Sequence, residues 1–389
     1  MRKLKGLFIT HTDITHLYGA STSLRTYLEN NQDFEATVIL PRPLNLLRWK
    51  KNIPSHQERF SSKINKFYMF FLPWDLCYED ADKSIRMRIS VYVHNILFRL
   101  FKWQIERLIC NNDYDFIYLN SLVLNDLIDN KHPYFIHIRE CFYGEKLGKS
   151  MEKIMRSKGI LFIDKTTFYA LYHNHILHKA NYIILNNPFD MRHLKKIEIN
   201  KEKFFNNLGI SYHDELKIFS VIGTVSPWKG IDLIIQSFLD ANLSNSILLI
   251  VGDSNDKKYI SYCKKIASKS SMIHFLGEIQ DVGQIYYLSD FILRGDKSFR
   301  IGRTIYEGLY SGCSVIIPGT QDDVNQCEEL RYFGNRVYTY NPSDVNDFSS
   351  VLKNCIASPL PSSKIYMSNI DQFNKCFKEF IVKSLTDLS

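Results

Sequence analysis

The residues best placed to do chemistry lie in Arg294–Gly319, RGDKSFRIGRTIYEGLYSGCSVIIPG. Gly302 and Arg303 open a predicted helix, Ile305 and Leu309 at i, i+4 spacing give its buried face, and Gly312 stands where a left-handed helix stop is expected. Ser314–Ile317 is a short apolar run closed by Pro318 and Gly319, the pattern of a buried parallel strand. A glycine at the mouth of such a helix lets a ligand approach the backbone closely. The N–H groups there, with the helix dipole, favour an anion such as a phosphate. Glu307 lies one turn further in, on the side of Arg303. A carboxylate there can accept two hydrogen bonds from a ribose diol. An ordinary surface Arg–Glu pair has the same spacing, so the context has to decide.

That context is a repeating α/β pattern. Lys217–Ile222 reads as a strand, followed by Gly223–Gly230 (GTVSPWKG) and a helix over Ile231–Leu239. Lys229 sits at this turn, where an ammonium can meet a phosphate as a point charge. Ile247–Val251 is the next strand, ending in Gly252-Asp253, and further strands are expected at Ile273–Leu276 and Phe291–Leu293. The first half repeats the scheme, with a strand at Leu4–Thr10, a polar loop carrying Gly19, a helix at Ser23–Asn30 and a strand at Glu35–Leu40. Short strands are expected to end just before Asn120, Arg139-Glu140 and Asn186, and an open parallel sheet binds its ligand at such carboxyl ends. Pro41–Asp80 reads as irregular and rich in aromatic and basic residues. Lys83–Cys110 has helical periodicity with Val91, Ile96, Leu97, Leu100, Phe101, Ile105 and Leu108 as expected core, and Arg86, Arg88, Arg99, Lys102 and Arg107 on a basic side.

The 389 residues are enough for two domains, and the 45% hydrophobic share is ordinary for a globular chain. No apolar run reaches the roughly 18 residues a membrane span needs. The opening MRKLKGLFITHTD reads as a first strand rather than an export signal, so a cytoplasmic location is expected. Eight cysteines without a C-x-x-C pair suggest free thiols, not zinc or a disulfide framework. The +8 formal charge is spread out and carries no nucleic-acid motif, so a nucleic-acid partner is not expected, whereas anionic ligands or an anionic membrane face suit it.

The order Lys-Gly turn, Gly-Asp strand end, Gly-Arg-x-x-x-Glu helix resembles the GT-B glycosyltransferases of family 4, which are retaining and use nucleotide sugars. The matching segments are GTVSPWKG, LLIVGD, IHFLGEI and FRIGRTIYE, with LYGASTS (17–23) standing for the family's first glycine loop. The resemblance implies two Rossmann-like domains, 1–188 on the acceptor side and 189–369 on the nucleotide-sugar side. Their parallel sheets would face a central cleft, with the terminal helix 370–389 packing back on the first domain.

The resemblance also assigns a donor site. Lys229 holds the diphosphate beside Gly223 and Thr224. Glu307 binds the ribose, and the stretch Ile301, Gly302, Arg303 and Thr304 meets phosphates or sugar. Gly19 and Ala20 close over them, and the base lies near Gly277, Glu278 and Ile279. Two positions depart from the family pattern: Thr224 replaces a frequent arginine and Phe299 replaces the first glutamate of the paired motif. Asp296 is the expected substitute carboxylate, and Arg300 and Arg303 suit an acidic sugar. Near the reacting carbon the family tends to place a histidine. His137 and Arg139 share one side of the strand and either fits that position, with Glu140 facing the acceptor or pairing with Arg139.

The implied reaction is displacement of a nucleoside diphosphate with retention, without metal or cofactor, in surface polysaccharide (O-antigen or capsule) synthesis. The acceptor is a glycan or polyprenyl-linked oligosaccharide, and region 45–110 makes peripheral contact with the inner membrane. A non-catalytic nucleotide-binding subunit and a sugar-nucleotide epimerase are the alternatives.

Overall fold

A computed structural model describes residues 2–11, 19–41, 64–70, 85–140, 148–172, 180–254, 256–279, 281–299, 301–357 and 364–386. The chain divides into two compact units, Met1–Pro188 with Asn369–Ser389, and Phe189–Ser368.

The first unit is built on seven parallel strands, β1 Leu4–Ile9, β2 Phe34–Pro41, β3 Ile64–Phe70, β4 Phe116–Leu119, β5 Tyr134–Ile138, β6 Gly159–Phe162 and β7 Tyr182–Ile184, in the order β3-β2-β1-β4-β5-β6-β7. Successive side chains on a strand face opposite ways, and here both faces are covered. Leu7, Ile9, Ile117 and Ile136 pack with Phe101, Ile105 and Leu108 of helix Ile85–Cys110. Phe8, Tyr118, Phe135 and Leu161 pack with Leu24, Tyr27 and Leu28 of helix Gly19–Asn30 and with Phe373, Phe377 and Ile381 of helix Ile370–Thr386. The terminal helix is fastened by its aromatic stripe, with the Phe377 ring 4.9 Å from that of Tyr27 and 5.8 Å from that of Phe34.

Two expectations fail in this unit. The stretch Pro41–Asp80 is not irregular throughout, because Ile64–Phe70 adds an edge strand to β2. Helix Ile85–Cys110 buries Phe101, Ile105, Leu108 and Ile109 but leaves Ile96 42% and Leu100 53% exposed. Twenty-six residues of helix run about 39 Å, whereas a four-residue strand such as β4 spans only about 13 Å. The helix therefore outruns the sheet that its carboxyl-terminal half packs on. Among the described residues no helix is long and apolar enough to cross a membrane.

The second unit has six parallel strands, β8 Lys217–Ile222, β9 Ser246–Val251, β10 Ile273–Gly277, β11 Phe291–Leu293, β12 Ser314–Pro318 and β13 Val337–Tyr340, ordered β10-β9-β8-β11-β12-β13. Helices Ile231–Ala241, Lys257–Ala267 and Val345–Ala357 cover one face around Phe219, Leu248, Ile250 and Phe291. Helix Arg303–Tyr310 covers the other around Ile292, Val315 and Ile317. In each sheet the strand order reverses once, between β1 and β4 and between β8 and β11. Ligands of open α/β sheets bind at the carboxyl ends of strands flanking such a reversal. The loops that leave β1, β4, β8 and β11 are therefore where side chains matter most.

Candidate functional site

In the second unit the turn after β8 and the loop after β11 touch through backbone. Gly230 has φ 55° and ψ 40°, and a Cβ there would lie 1.9 Å from the carbonyl oxygen of Gly295. A Cβ on Gly295 would come 2.5 Å from the oxygen of Gly230. This glycine-on-glycine contact brings Lys229 next to the segment that feeds helix Arg303–Tyr310. The Lys229 ammonium is 3.9 Å from Asp296 Oδ1, with its side chain 36% exposed, while Asp296 is buried. Arg294 forms an ion pair with the same carboxylate, its Nη2 lying 3.3 Å from Oδ1. Asp296 is thus a counter-ion shared by two cations, not an unengaged carboxylate.

Gly302 caps helix Arg303–Tyr310 in extended conformation without a side-chain cap. Ile305 and Leu309 are fully buried, and Gly312, at φ 83°, turns the chain into β12. Glu307 accepts from Arg303 Nε at 2.7 Å through Oε1 and from the Tyr286 hydroxyl at 2.7 Å through Oε2. Burial first, and the neighbouring Glu307 next, push the Tyr286 phenol well above its ordinary value, so it stays a donor. The Arg303 guanidinium also lies 4.6 Å above the Phe189 ring. An ionised carboxylate has about four acceptor sites, so a carboxylate held by two donors still has room for a diol. Ile301 and Thr304 flank the helix start, half-buried.

Phe299 turns away from polar chemistry and packs in the apolar cluster, where a Cβ on Gly319 would come 2.6 Å from its ring. Gly223, Gly252 and Gly277 end β8, β9 and β10 with φ of 137°, 130° and 69°. Thr224 and Glu278 are exposed and Ile279 is half-buried. Arg300 lies outside the described residues.

In the first unit a polar network crosses the carboxyl ends of β1, β4 and β5. Arg139 donates through Nε to Asn120 Oδ1 at 3.0 Å and through Nη1 to Asn187 Oδ1 at 2.5 Å. Asn120 Nδ2 in turn donates to the Ala20 carbonyl at 3.3 Å, next to Gly19 at the start of its helix. Arg139 Nη2 lies 3.3 Å and the Tyr118 hydroxyl 2.5 Å from His137 Nδ1. A guanidinium can only donate, so Nδ1 is the acceptor and the ring proton sits on Nε2. His137 is fully buried, and Nε2 has no hydrogen-bond partner among the described residues. Burial first, and the Arg139 charge second, hold the imidazole well below its ordinary value, so it is neutral. Glu140 folds back on the turn Leu122–Leu127, accepting from the Ser121 hydroxyl and from the backbone N–H groups of Leu122 at 3.2 Å and Arg139 at 3.0 Å.

Each unit thus gathers its own expected residues: Lys229, Asp296, Gly302, Arg303 and Glu307 in one, Ala20, His137, Arg139 and Glu140 in the other. Arg294, Tyr286, Tyr118 and Asn187 join them without having been singled out from the sequence. Among the described residues no group of three or more His, Cys, Asp or Glu side chains is arranged to hold a metal ion.

Comparison with known proteins agrees with this architecture. Residues 201–362 match the family described as glycosyl transferases group 1. A glycogen synthase of Clostridium botulinum (strain Alaska E43 / Type E3) is 23% identical over 274 residues, which are 64% of this chain and 54% of the relative. The chain therefore spans about half the length of the curated relatives it matches. Anabaena Alr3699/HepE, solved in complex with UDP and glucose, superposes with a TM-score of 0.70 at 15% identity, covering 97% of this chain and 100% of that one. The lipopolysaccharide outer core galactosyltransferase WaaB in its apo form gives a TM-score of 0.57 at 14% identity, covering 99% and 98%. The two α/β units therefore have the GT-B fold, and within it residues 201–362 are similar to the group 1 glycosyl transferases.

Proposed function

We propose that the chain transfers a sugar from a nucleoside diphosphate to a hydroxyl acceptor, with retention at the anomeric carbon. The observation that carries this reading is the second unit's strand-order reversal. A lysine, a helix start opened by glycine and a carboxylate with spare acceptor capacity converge there. Lys229 and the first-turn N–H groups of helix Arg303–Tyr310 stabilise the departing diphosphate, where negative charge grows as the glycosidic bond breaks. Glu307, steadied by Arg303 and Tyr286, accepts the ribose hydroxyls. The base rests near Gly277, Glu278 and Ile279. In the first unit His137 carries Nε2–H as a neutral donor suited to a sugar hydroxyl. The UDP held by the similar Anabaena structure makes UDP the first nucleotide to test.

The acceptor in this reading is a glycan or polyprenyl-linked oligosaccharide of a surface polysaccharide, for which the fold shared with an outer core galactosyltransferase is the support. Tyr92, Val93, Ile96, Leu100 and Trp103 are exposed along one helix that also carries Arg99, Lys102 and Arg107. An apolar stripe with basic neighbours suits peripheral contact with an anionic membrane face. Phe71 and Trp74, in the aromatic-basic stretch expected to share this role, lie outside the described residues. A second reading, a nucleotide-binding subunit without turnover, draws on Phe299, which packs as an apolar residue where the family pattern has a carboxylate.

Calorimetry with UDP, GDP and ADP, followed by donor hydrolysis over a panel of nucleotide sugars, tests the proposal. Lys229→Met is expected to weaken the bound diphosphate at least ten-fold. Glu307→Ala is expected to weaken the nucleotide but leave inorganic pyrophosphate unaffected. Absence of nucleotide binding by the wild type sinks the reading, and binding without turnover across the panel selects the subunit.

A further inference from the structure

Arg294 has no assigned role, yet its surroundings are unusual. Its backbone is pinned on both sides, donating to the Ile316 carbonyl at 3.0 Å and accepting from the Tyr340 hydroxyl at 2.8 Å. Its side chain, 11% exposed, runs beneath the start of helix Arg303–Tyr310, so close that a Cβ on Gly302 would lie 2.1 Å from Nη1. A cation at a helix N-terminus is repelled by the dipole there, which is equivalent to roughly half a positive charge. Lys229 adds a second full positive charge beside it, and among the described residues Asp296 is a carboxylate that meets both cations. Arg303 contributes nothing to this balance because Glu307 neutralises it. The cluster therefore carries an excess of about one and a half positive charges in a largely buried setting, an arrangement that is stable when an anion joins it. Asp296 engages the Nε and Nη2 edge of Arg294, and Nη1 makes no hydrogen bond among the described residues. Thr224, at the exposed end of β8, brings no charge of its own.

We propose that Arg294 is a diphosphate-binding residue of this site, donating from Nη1 to the nucleotide's phosphates, and that Asp296 is the positioning residue that holds Arg294 and Lys229 ready for them. Gly302 then has two functions: it opens the helix start to the ligand, and it leaves room for the guanidinium under it. The inference rests on the donor-site reading above, and the test separates the two.

Dissociation constants are measured by calorimetry for the nucleoside diphosphate that binds best among UDP, GDP and ADP. The variants are Lys229→Met, Arg294→Met, Arg294→Lys, Asp296→Asn and the double variant R294M/D296N, each checked for folding by thermal unfolding. Arg294→Met is expected to weaken binding about ten- to hundred-fold, and Arg294→Lys less. Asp296→Asn alone, which keeps both cations but loses the charge that holds them in place, is expected to weaken binding several-fold, less than Arg294→Met. The double variant leaves no buried carboxylate unpaired, so it folds even where Arg294→Met does not, and it is expected to bind as weakly as Arg294→Met. Recovery of near wild-type affinity in the double variant overturns the proposal, since Arg294 would then be only a counter-ion for Asp296. A wild type that binds no nucleoside diphosphate, or a Lys229→Met variant that binds as well as wild type, overturns the donor-site reading itself.

Discussion

Replacing Gly230 by alanine tests whether the donor site depends on one backbone contact. The residue is in the left-handed region, which costs an alanine roughly 1–2 kcal/mol. The added Cβ would also sit 1.9 Å from the Gly295 oxygen, whereas ordinary contact begins at 3.4 Å. The turn or the loop must then retreat by about 1.5 Å, a displacement of the overpacking kind that costs roughly 1–3 kcal/mol. Together these predict a loss of about 2–5 kcal/mol. For a unit of this size that is roughly 5–15 °C in Tm. The retreat carries Lys229 with it, and misplacement of a site group by about 1 Å can cost on the order of a hundred-fold in turnover. Gly209→Ala is the control, because Gly209 shares a left-handed φ, 74°, but a Cβ there meets nothing within 4 Å. The assays are thermal unfolding and nucleoside-diphosphate affinity, run on both variants. If Gly230→Ala matches Gly209→Ala in Tm and nucleotide affinity, the glycine contact does not position Lys229 and the reasoning is wrong.

Two further outcomes are expected. Leu100→Glu with Trp103→Glu should abolish flotation with vesicles containing anionic lipid and leave UDP affinity unchanged; undiminished flotation removes the membrane role of this helix. His137→Asn should alter the pH dependence of stability in one direction only. Burial and Arg139 depress the native imidazole below 6.5, so the unfolded chain takes up the proton first. The contribution is therefore complete above about pH 6.5 and is lost as pH falls, by at most ~1.4 kcal/mol per pH unit. Denaturant titrations from pH 7.5 to 5 should show this slope in the wild type relative to the variant, and parallel curves would contradict the buried neutral histidine.

The stretch Arg294–Gly319 was legible because several local rules agree there: apolar spacing at Ile305 and Leu309, a glycine at each end, and an apolar run closed by proline. Arg294 escaped notice because a single arginine at a strand end looks like a solvated charge. Asp296, two residues on and so on the same side of an extended chain, was the available signal. Glu140 shows what spacing does not reach. A carboxylate past a strand end reads as chemistry, yet its oxygens cap a short turn through Ser121, Leu122 and Arg139, and no sequence spacing joins 140 to 121. Periodicity in helix Ile85–Cys110 identified apolar positions but not which of them find a partner. Burial depends on where the sheet ends, which is a property of strand lengths elsewhere in the chain.

The two strand-order reversals present different chemistry, and each suits a different part of a sugar nucleotide. A departing diphosphate gains negative charge, and the second unit meets it with Lys229, Arg294 and a helix start against one carboxylate. A sugar hydroxyl gains none, and the first unit offers a fully buried, uncharged imidazole. Arg139 makes that neutrality robust in two ways: its charge opposes protonation, and its N–H occupies Nδ1 so that the single proton stays on Nε2. His137 is therefore suited to orient a hydroxyl, not to deliver a proton. The arginine beside it sets both the tautomer and the charge on which that orientation depends.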